Sequence, residues 1–275
     1  MNQIAVANLM MNLKMNNSKT VDESMVRHMI LNSIRMYRKE HHGEYGEVVL
    51  TWDSKHSWRR DYFPEYKASR RKGREKSDLN WNDIFGTLNK IRNEIKENFP
   101  YKYLEVFGAE ADDIIGFLCD DNRDEKIIII SGDKDFIQLQ KYSNVTQWSP
   151  ITKKQVNGFD PTIYLKEHIL KGDTSDGVPN VLSPDNTFVD GLRQRPLTRK
   201  KIQSWLVGGG SDWNDEVKRN FQRNLTLIDL TQTPEELKNQ IRLEYNNAPH
   251  GDRSKLLNYF MKNKLKELTE NIGEF

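Results

Sequence analysis

The chain has 275 residues, of which 36% are hydrophobic, 30% charged and 10% aromatic, and its formal net charge is +2. This length suits one large domain or two modest ones, and the aromatic content argues against disorder. Its single cysteine, Cys119, excludes an internal disulfide framework and a cysteine-based zinc site, so we expect a reducing cytoplasm. We find no signal peptide and no run near the roughly 20 apolar residues that span a bilayer, so we expect no membrane partner.

Helices and strands alternate over the first half of the chain. Apolar spacing predicts helices at 21–40, 84–95 and 111–119, and short strands at 47–52, 101–107, 127–130 and 145–148. Strands that alternate with helices predict an α/β fold with a mostly parallel central sheet flanked by helices. The four consecutive isoleucines at 127–130 indicate a strand that is covered on both faces.

The second half predicts helices without further strands. Helical patterns cover 161–171, 198–206, 213–224, 234–240 and 253–271. The polar segment 181–197 has no clear period and reads as a loop or insertion. We therefore expect an α/β core at 1–150, which includes a basic segment at 55–78, and a C-terminal helical region at 151–275.

Acidic residues cluster where predicted elements end. They are Asp53, Glu110, Asp112, Asp113, Asp133, Asp135, Asp173 and Asp176. Each cluster alone has an ordinary explanation, as the first turn of a helix or as a turn residue. Three clusters, however, follow predicted parallel strands, whose carboxyl ends form the usual ligand edge of such a sheet.

Gathered carboxylates would repel one another unless a cation compensates them. The sequence offers no cysteine cluster, and its six histidines are sparse and not at ligand spacing. Oxygen ligands favour Mg²⁺ or Mn²⁺. Six to eight carboxylates can hold two ions about 4 Å apart, which is the arrangement used for in-line attack on a phosphodiester.

The segment 58–76 is basic and aromatic. Eight Lys and Arg residues against three acidic residues give it a local charge of +5. Its cations, which include Arg70, Arg71, Lys72 and Arg74, can pair with phosphates, and the rings of Trp58, Tyr62, Phe63 and Tyr66 can stack on unpaired bases. Lys67 with Arg59 or Arg60 could stabilise charge on a scissile phosphate. The alternative is a solvated charged loop.

Four stretches in this order carry a family resemblance. WDSKHSWRRDYFPEYKASR, EADDIIG, SGDKDFIQL and ILKGDTSDGVP together resemble the 5′-nuclease (flap endonuclease, PIN-like) superfamily over roughly residues 20–180, and in particular its bacteriophage members. The resemblance implies a 5′→3′ exonuclease and flap endonuclease that removes RNA primers and 5′ flaps during DNA replication. It also implies two-metal phosphodiester hydrolysis with two Mg²⁺ ions, for which Mn²⁺ can substitute.

The resemblance assigns roles to individual residues. Asp53, Glu110, Asp112, Asp113 and Asp133 match the first metal site and its surroundings. Asp135, Asp173 and Asp176 match the second, where contact with the ion is often through water. Lys67 and the neighbouring arginines match a helical arch for the 5′ single strand. The implied partners are branched or nicked DNA and RNA–DNA hybrids with 5′ ends, and replication proteins such as a single-stranded DNA-binding protein. We expect a monomer, in the host cytoplasm if the protein is viral.

Two departures from the family pattern affect these expectations. The family's first strand ends in a metal-site Asp, and the segment Met1–Ala5 aligns just after that position, so we expect this strand and its Asp to be absent here. Our hypothesis is an upstream start or a truncated form. In the second departure, 181–197 replaces a Gly-rich turn, although Arg193, Arg195, Arg199, Lys200 and Lys201 could still contact phosphates.

Two rival functions remain at this point. The missing Asp favours a catalytically impaired, structure-specific DNA-binding protein of the same fold. The D-x-D pattern of SGDKDF is also found in phosphatases and phosphotransferases with an Asp nucleophile. Such enzymes usually carry the pattern at the first strand, and they have no need of a basic segment. We therefore favour the nuclease.

Overall fold

The protein is described here from a computed structural model, which covers residues 1–15, 20–75 and 77–275. The helices are α1 (Asn2–Met15), α2 (Glu23–Tyr45), α3 (Trp58–Tyr62), α4 (Ser69–Glu75), α5 (Trp81–Asn98), α6 (Ala111–Asp121), α7 (Pro161–Lys171), α8 (Arg199–Gly208), α9 (Asp215–Ile228), α10 (Glu235–Asn247), α11 (Leu256–Lys262) and α12 (Lys266–Glu270). The strands are β1 (Val49–Thr51), β2 (Lys102–Leu104), β3 (Ile127–Ile130), β4 (Val145–Ser149) and β5 (Lys154–Gln155). Short 3-10 helices lie at Lys134–Lys141, Asp185–Thr187, Leu230–Gln232 and Ile272–Glu274. None of the helices in this described part is both long and apolar enough to cross a lipid bilayer.

The chain divides into two compact units, each assembled from separate stretches. Unit 1 contains Met1–Asp53, Ser77–Val106 and Gln240–Phe275, and unit 2 contains Ser54–Lys76 and Phe107–Asn239. The boundary predicted near residue 150 lies inside unit 2. The predicted division into an α/β core at 1–150 and a helical region at 151–275 stays a prediction.

Unit 1 contains a two-stranded parallel sheet. Strand β1 pairs with β2 in a register that sets Val49 opposite Lys102, and the Trp52 amide donates to the Leu104 carbonyl at 2.9 Å. Apolar faces of α1, α2 and α5 contribute to one buried cluster that also includes Phe260 and Phe275. Such faces recur every three or four residues along a helix, which is why the sequence predicted α2 and α5.

Unit 2 contains a three-stranded sheet. Strand β3 pairs in parallel with β4, from Ile127 opposite Val145, and β4 pairs in antiparallel fashion with β5. The α/β class and the parallel pairing are thus confirmed, with the strands distributed over two small sheets. The expectation that the isoleucine strand is covered on both faces is wrong, because Ile129 alone among the four is buried.

The C-terminal helical region agrees with the sequence in outline. Helix α7 has the predicted bounds, and α8, α9 and α10 overlap their predicted ranges. The segment predicted as one helix at 253–271 is two helices, because the chain leaves helical geometry at Lys264, whose φ is 55°. Leu257, in α11, is 48% exposed, whereas Leu256 beside it is buried.

The segment 181–197 is irregular, as predicted, but it is held by buried polar groups. The Arg223 guanidinium is buried and donates to the Pro179 carbonyl at 2.8 Å and to Asp185. The Asn220 amide donates to the Val181 carbonyl at 3.0 Å. These bonds satisfy backbone carbonyls that lack helix or sheet partners, so an aperiodic segment is fixed without regular structure.

Candidate metal centre

The first turn of α6 brings two of the predicted carboxylates together. Glu110 precedes the helix as its N-cap, and its backbone amide donates to Oδ2 of Asp113 at 2.8 Å. Acidic groups in a first helical turn interact favourably with the helix dipole. This local interaction accounts for part of the EADD motif, and the remaining contacts decide the role of each carboxylate.

Asp113 is fully enclosed by donors. Arg59 reaches its two oxygens at 2.8 and 2.9 Å, Trp58 Nε1 donates to it at 3.2 Å and Thr233 Oγ1 at 2.9 Å. Burial acts to raise the pKa of Asp113, but the adjacent Arg59 guanidinium outweighs it and holds that pKa below its usual range. Asp113 is 0% exposed and its oxygens are occupied by these donors, so its place in the first metal site stays a prediction.

Arg59 is likewise an internal residue. It is 1% exposed, and its Nε donates to the Leu227 carbonyl at 2.8 Å while its Nη1 also lies 3.4 Å from Glu110. A guanidinium in this position cannot extend to a phosphate at the surface. Arg59 nevertheless lines the carboxylate pocket, so its predicted direct role in catalysis stays a prediction, beside its contacts with the carboxylates of α6.

Glu110 and Asp176 are linked through one tyrosine. The Tyr66 hydroxyl lies 2.7 Å from Oε2 of Glu110 and 2.7 Å from Oδ2 of Asp176. A phenol carries a single proton, so it can donate to only one of these oxygens at a time. Tyr66 is 3% exposed, and this corrects its predicted role as a stacking platform for bases.

Two cations face the same pair of carboxylates. Lys67 Nζ lies 2.7 Å from Glu110 and 3.5 Å from Asp176, and Arg70 pairs with Asp176. Burial acts to lower the pKa of Lys67, but the carboxylates of Asp176 and Glu110 outweigh it, so the pKa is raised. The lysine therefore stays protonated at neutral pH. Its backbone has a φ of 57°, and its amide donates to the Asp176 carbonyl at 2.7 Å.

The remaining carboxylates of unit 2 gather at one pocket. Asp112, Asp135, Asp173 and Asp176 line it together with Glu110 and Tyr66. Burial is the largest cause that raises the pKa of Asp135 well above its usual value, and the next causes are the charges of Asp133, Asp173, Asp112 and Asp176. The tertiary structure thus brings together the groups after β3, at the start of α6 and after α7.

A divalent cation fits this donor set. The group consists of hard carboxylate oxygens, which Mg²⁺ and Mn²⁺ prefer. The repulsion that acts on Asp135 is the kind that a bound cation removes. Three potential ligand atoms, from Asp135, His168 and Asp173, lie within 4.8 Å of one another. The residues present therefore fit a metal centre.

His168 is a site residue that sequence analysis missed. Its Nδ1 lies 3.4 Å from Oδ1 of Asp135, and its Nε2 lies 3.9 Å from Oδ2 of Asp173. Burial lowers the pKa of His168 against the opposing effect of Asp173. Spacing along the sequence does not reveal His168 as a ligand, because its partner Asp135 lies far from it in the chain, on the 3-10 helix Lys134–Lys141. The available signal was the position of His168 on α7, the helix that leads into Asp173.

Asp53 is placed outside unit 2. It follows the end of β1 in unit 1 and is half-buried. Its part in the first metal site stays a prediction.

The predicted nucleic-acid-binding aromatics divide into exposed and buried rings. Tyr62 is 47% exposed, whereas Phe63 is 4% exposed. Trp58 is half-buried, with its indole N–H bonded to Asp113 and the Arg59 guanidinium 4.7 Å from its ring centre. Tyr62 is therefore the ring of this segment that is best placed to stack on a base.

Three basic residues of the same segment are at the surface. Arg60, Arg70 and Arg74 are accessible, with Arg70 half-exposed. Arg71 and Lys72 lie in α4, and Lys76 lies outside the described residues. Direct contact of these residues with a nucleic acid stays a prediction.

A second group of cations begins α8. Arg199, Lys200 and Lys201 are exposed in its first turn, and Lys201 Nζ lies 4.9 Å from the centre of the Trp205 ring. Cations oppose the helix dipole at this end, so they contribute little to the helix itself. Arg195 instead pairs with Glu216 at 3.0 Å, which lowers its availability for phosphate.

Comparisons with known proteins cover nearly the whole chain. The family model of the 5′-3′ exonuclease N-terminal resolvase-like domain matches residues 6–168, and the T4 RNase H C-terminal model matches residues 160–275. Ribonuclease H of Enterobacteria phage T4 is 35% identical over 291 residues, which cover 99% of this chain and 93% of that protein. A 5′-3′ exonuclease of Buchnera aphidicola subsp. Schizaphis graminum is 28% identical, over 60% of this chain and 58% of its own.

Solved structures share the fold. A bacteriophage T5 flap endonuclease in a pseudo-enzyme-product complex with DNA and metal ions superposes with a TM-score of 0.61 at 18% identity, and covers 87% of this chain and 95% of its own. A T5 protein co-crystallised with metal ions gives 0.59 at 16% identity, over 80% and 91% of the two chains.

Proposed function

Because this chain belongs to the 5′-3′ exonuclease family, we propose that it is a metal-dependent 5′→3′ exonuclease and flap endonuclease. Its reaction is hydrolysis of phosphodiester bonds near 5′ ends. The observation that carries the proposal is one pocket lined by Glu110, Asp112, Asp135, Asp173 and Asp176, with the Lys67 ammonium 2.7 Å from Glu110 and 3.5 Å from Asp176. Carboxylates that hold cations next to a fixed positive charge match the needs of a polyanionic substrate.

The carboxylates divide the work of holding two divalent cations. Asp135, Asp173 and Asp176 would hold one, and Glu110, Asp112 and Asp133 would contribute to the other. When bound, Mg²⁺ supplies activation of water and stabilisation of charge on the phosphate oxygens. Asp113 and Arg59 fix the first turn of α6 so that Glu110 faces the pocket.

Lys67 and Arg70 orient the scissile phosphate. In the absence of substrate these cations pair with Glu110 and Asp176, which keeps them at the pocket. A phosphate that arrives at the cations would take over part of those contacts. Their charge then acts on the negative charge that develops during hydrolysis, where a fixed cation is most effective.

Groups that precede and follow the pocket residues in the sequence hold the DNA or RNA strand. Tyr62 provides a ring for stacking, and the cations of α4 and of the first turn of α8 provide phosphate contacts. Three basic residues at a helix start are unfavourable unless an anion neutralises them, which agrees with a phosphate partner. The substrates we propose are branched or nicked DNA and RNA–DNA hybrids with 5′ ends.

The alternative, a DNA-binding protein of this fold without catalysis, is not favoured. The relatives are named as a ribonuclease H and as 5′-3′ exonucleases. A protein that only binds DNA would also have no need to gather mutually repelling carboxylates. We further propose that the protein acts as a monomer in the host cytoplasm, alongside replication proteins such as a single-stranded DNA-binding protein.

Cleavage of a 5′-labelled flap duplex with Mg²⁺ tests the proposal. We expect short 5′-labelled products from the wild-type chain, a large loss in Asp135→Asn, and wild-type cleavage by Asp124→Asn, which removes an exposed carboxylate away from the pocket residues. Flap binding by Asp135→Asn should persist. A wild-type chain that binds the flap but releases no product with either Mg²⁺ or Mn²⁺ would establish the non-catalytic alternative.

A further inference from the structure

On the basis of the proposed metal-dependent function, we propose that His168 is a ligand of the cation held by Asp135 and Asp173. The second metal site would then be a mixed nitrogen and oxygen site. Imidazole suits transition metals, whereas Mg²⁺ strongly prefers oxygen. We therefore infer that this site selects Mn²⁺ over Mg²⁺ to a greater degree than an all-carboxylate site would.

The distances fit coordination of a single ion. One ligand atom each from Asp135, His168 and Asp173 can be chosen so that all lie within 4.8 Å of one another. Ligand bonds of about 2.0–2.2 Å place two donors about 3 Å apart when they are adjacent on the ion and about 4.3 Å apart when they are opposite. A single ion takes only one nitrogen of the imidazole, and the limit of 4.8 Å already applies to one chosen nitrogen with one oxygen from each carboxylate.

The backbone holds His168 and Asp173 in this relation. Helix α7 ends at Lys171, and the Gly172 amide donates to the His168 carbonyl at 2.8 Å. Gly172 has a φ of 67°, and the Asp173 backbone pairs with Val178 in both directions, at 2.8 and 2.7 Å. The turn therefore aims the Asp173 carboxylate back toward the end of the helix that carries the imidazole.

The alternative to be tested is that His168 only hydrogen-bonds the carboxylate oxygens around it and does not bind the metal ion. An imidazole N–H that only hydrogen-bonds Asp135 would orient that carboxylate from outside the metal's coordination shell, as often occurs around metal sites. The two arrangements differ in one measurable respect: a coordinated nitrogen couples magnetically to a bound Mn²⁺ ion, and an imidazole outside the shell does not couple at comparable strength.

Electron spin-echo envelope modulation of the full chain loaded with Mn²⁺ provides this readout. We expect ¹⁴N modulation in the wild type, its loss in His168→Gln, and its retention in His250→Gln, which alters an exposed histidine of unit 1. Calorimetry should show Mn²⁺ affinity lowered by about tenfold or more in His168→Gln, with a smaller change for Mg²⁺. Asp135→Asn, measured in parallel, shows whether the ion occupies this site.

Three results would overturn the inference. They are absence of nitrogen coupling while Mn²⁺ occupies the Asp135 site, coupling that survives in His168→Gln, and failure of the chain to bind Mn²⁺. Flap cleavage is a separate readout. A chain that cuts flaps without nitrogen coupling refutes the ligand role alone, and a chain with nitrogen coupling that fails to cut refutes the proposed function alone.

Discussion

Nη2 of Arg59 lies 2.8 Å from Oδ1 of Asp113, and both side chains are buried. This ion pair joins α3 to the first turn of α6, and the Leu227 carbonyl and Thr233 hydroxyl complete its hydrogen bonds. A buried pair with its remaining donors and acceptors satisfied is stable as a unit, but either charge left alone would be strongly unfavourable. The geometry of the carboxylates in α6 therefore depends on both partners.

Replacing Arg59 with Met should destabilise the protein by about 3–5 kcal/mol, because Asp113 would remain as an unpaired buried charge. Urea unfolding monitored by circular dichroism measures the change. Arg60→Met, at the exposed neighbour, should stay within about 0.5 kcal/mol of the wild type.

The pH dependence of this effect has a definite sign. The pKa of Asp113 is lowered in the folded state, so the stabilisation is present above its unfolded pKa of about 3.9 and is lost as the pH falls through the folded value. The difference between wild type and Arg59→Met should therefore narrow as the pH falls, because the unpaired buried Asp113 of the variant takes up a proton and the wild type loses the stabilisation from its lowered pKa. A difference under about 1 kcal/mol at pH 7 would contradict the role of the pair.

Removing the Lys67 charge should affect the reaction more than the fold. We expect Lys67→Ala to lower kcat for flap cleavage by about 10²–10³-fold, the range found when one group that stabilises transition-state charge is lost. Single-turnover cleavage with saturating enzyme measures this. Lys166→Ala removes an exposed lysine of α7 and should leave the rate unchanged. Equal losses of cleavage rate in Lys67→Ala and Lys166→Ala would show that the loss of any positive charge slows the reaction, and that the position of Lys67 is not important.

The carboxylate cluster should reduce stability when no metal is bound. Neighbouring charges and burial raise the pKa of Asp135, so its folded-state cost appears as the pH rises above about 3.9 and is complete above the folded pKa. At pH 7 in EDTA we expect Asp135→Asn to melt higher than the wild type, by about 2–4 °C for each kcal/mol gained.

Added Mg²⁺ should reverse that order. The wild type should gain stability because the cation binds the folded state only, whereas Asp135→Asn should gain less. Differential scanning calorimetry with and without Mg²⁺ measures both changes, and Asp124→Asn serves as the control for removal of an exposed charge. A lower melting temperature of Asp135→Asn in EDTA would show that repulsion at this position is unimportant.

The turn after α7 should tolerate no side chain at Gly172. A Cβ there would lie 2.6 Å from the carbonyl carbon of Pro179, and the residue has a φ of 67°. Gly158 has a similar φ of 84°, but a Cβ added there would meet no atom within 4 Å, so Gly158→Ala isolates the backbone strain.

We expect Gly172→Ala to lose more stability than Gly158→Ala, with the control costing about 1–2 kcal/mol from the left-handed conformation alone. Urea unfolding of both variants gives the comparison. Equal losses would mean that the turn around Asp173 shifts easily to accommodate a methyl group.

Cys119 should be unreactive in the folded protein. Its side chain is 1% exposed, and burial raises its pKa to about 12. The thiolate is the reacting form, so Ellman's reagent should label the native chain slowly at pH 8 and should label the urea-unfolded chain quickly and with one equivalent. Fast labelling under native conditions would indicate that α6 opens readily.

The sequence by itself determined the elements and the chemistry that they carry. Apolar residues at helical spacing are sufficient to specify α5 and α7, and the order of the acidic motifs was sufficient to indicate a metal-dependent nuclease. The helical pattern is local, because it depends on residues within one or two turns of one another, whereas the acidic motifs were recognised by their order along residues 53–176. The same local information left β5 unpredicted, since Lys154 and Gln155 are exposed and have no alternating pattern.

Only the tertiary structure decided which of these residues face the pocket and which support it. The sequence treats Glu110, Asp112 and Asp113 alike, but the structure buries Asp113 against Arg59 and turns Asp112 toward the pocket. Arg59 meets Leu227 across 168 residues of chain. Burial and pairing across such separations depend on long-range packing. No local sequence pattern could therefore distinguish a basic side chain that is available to the substrate from one that is buried in the protein.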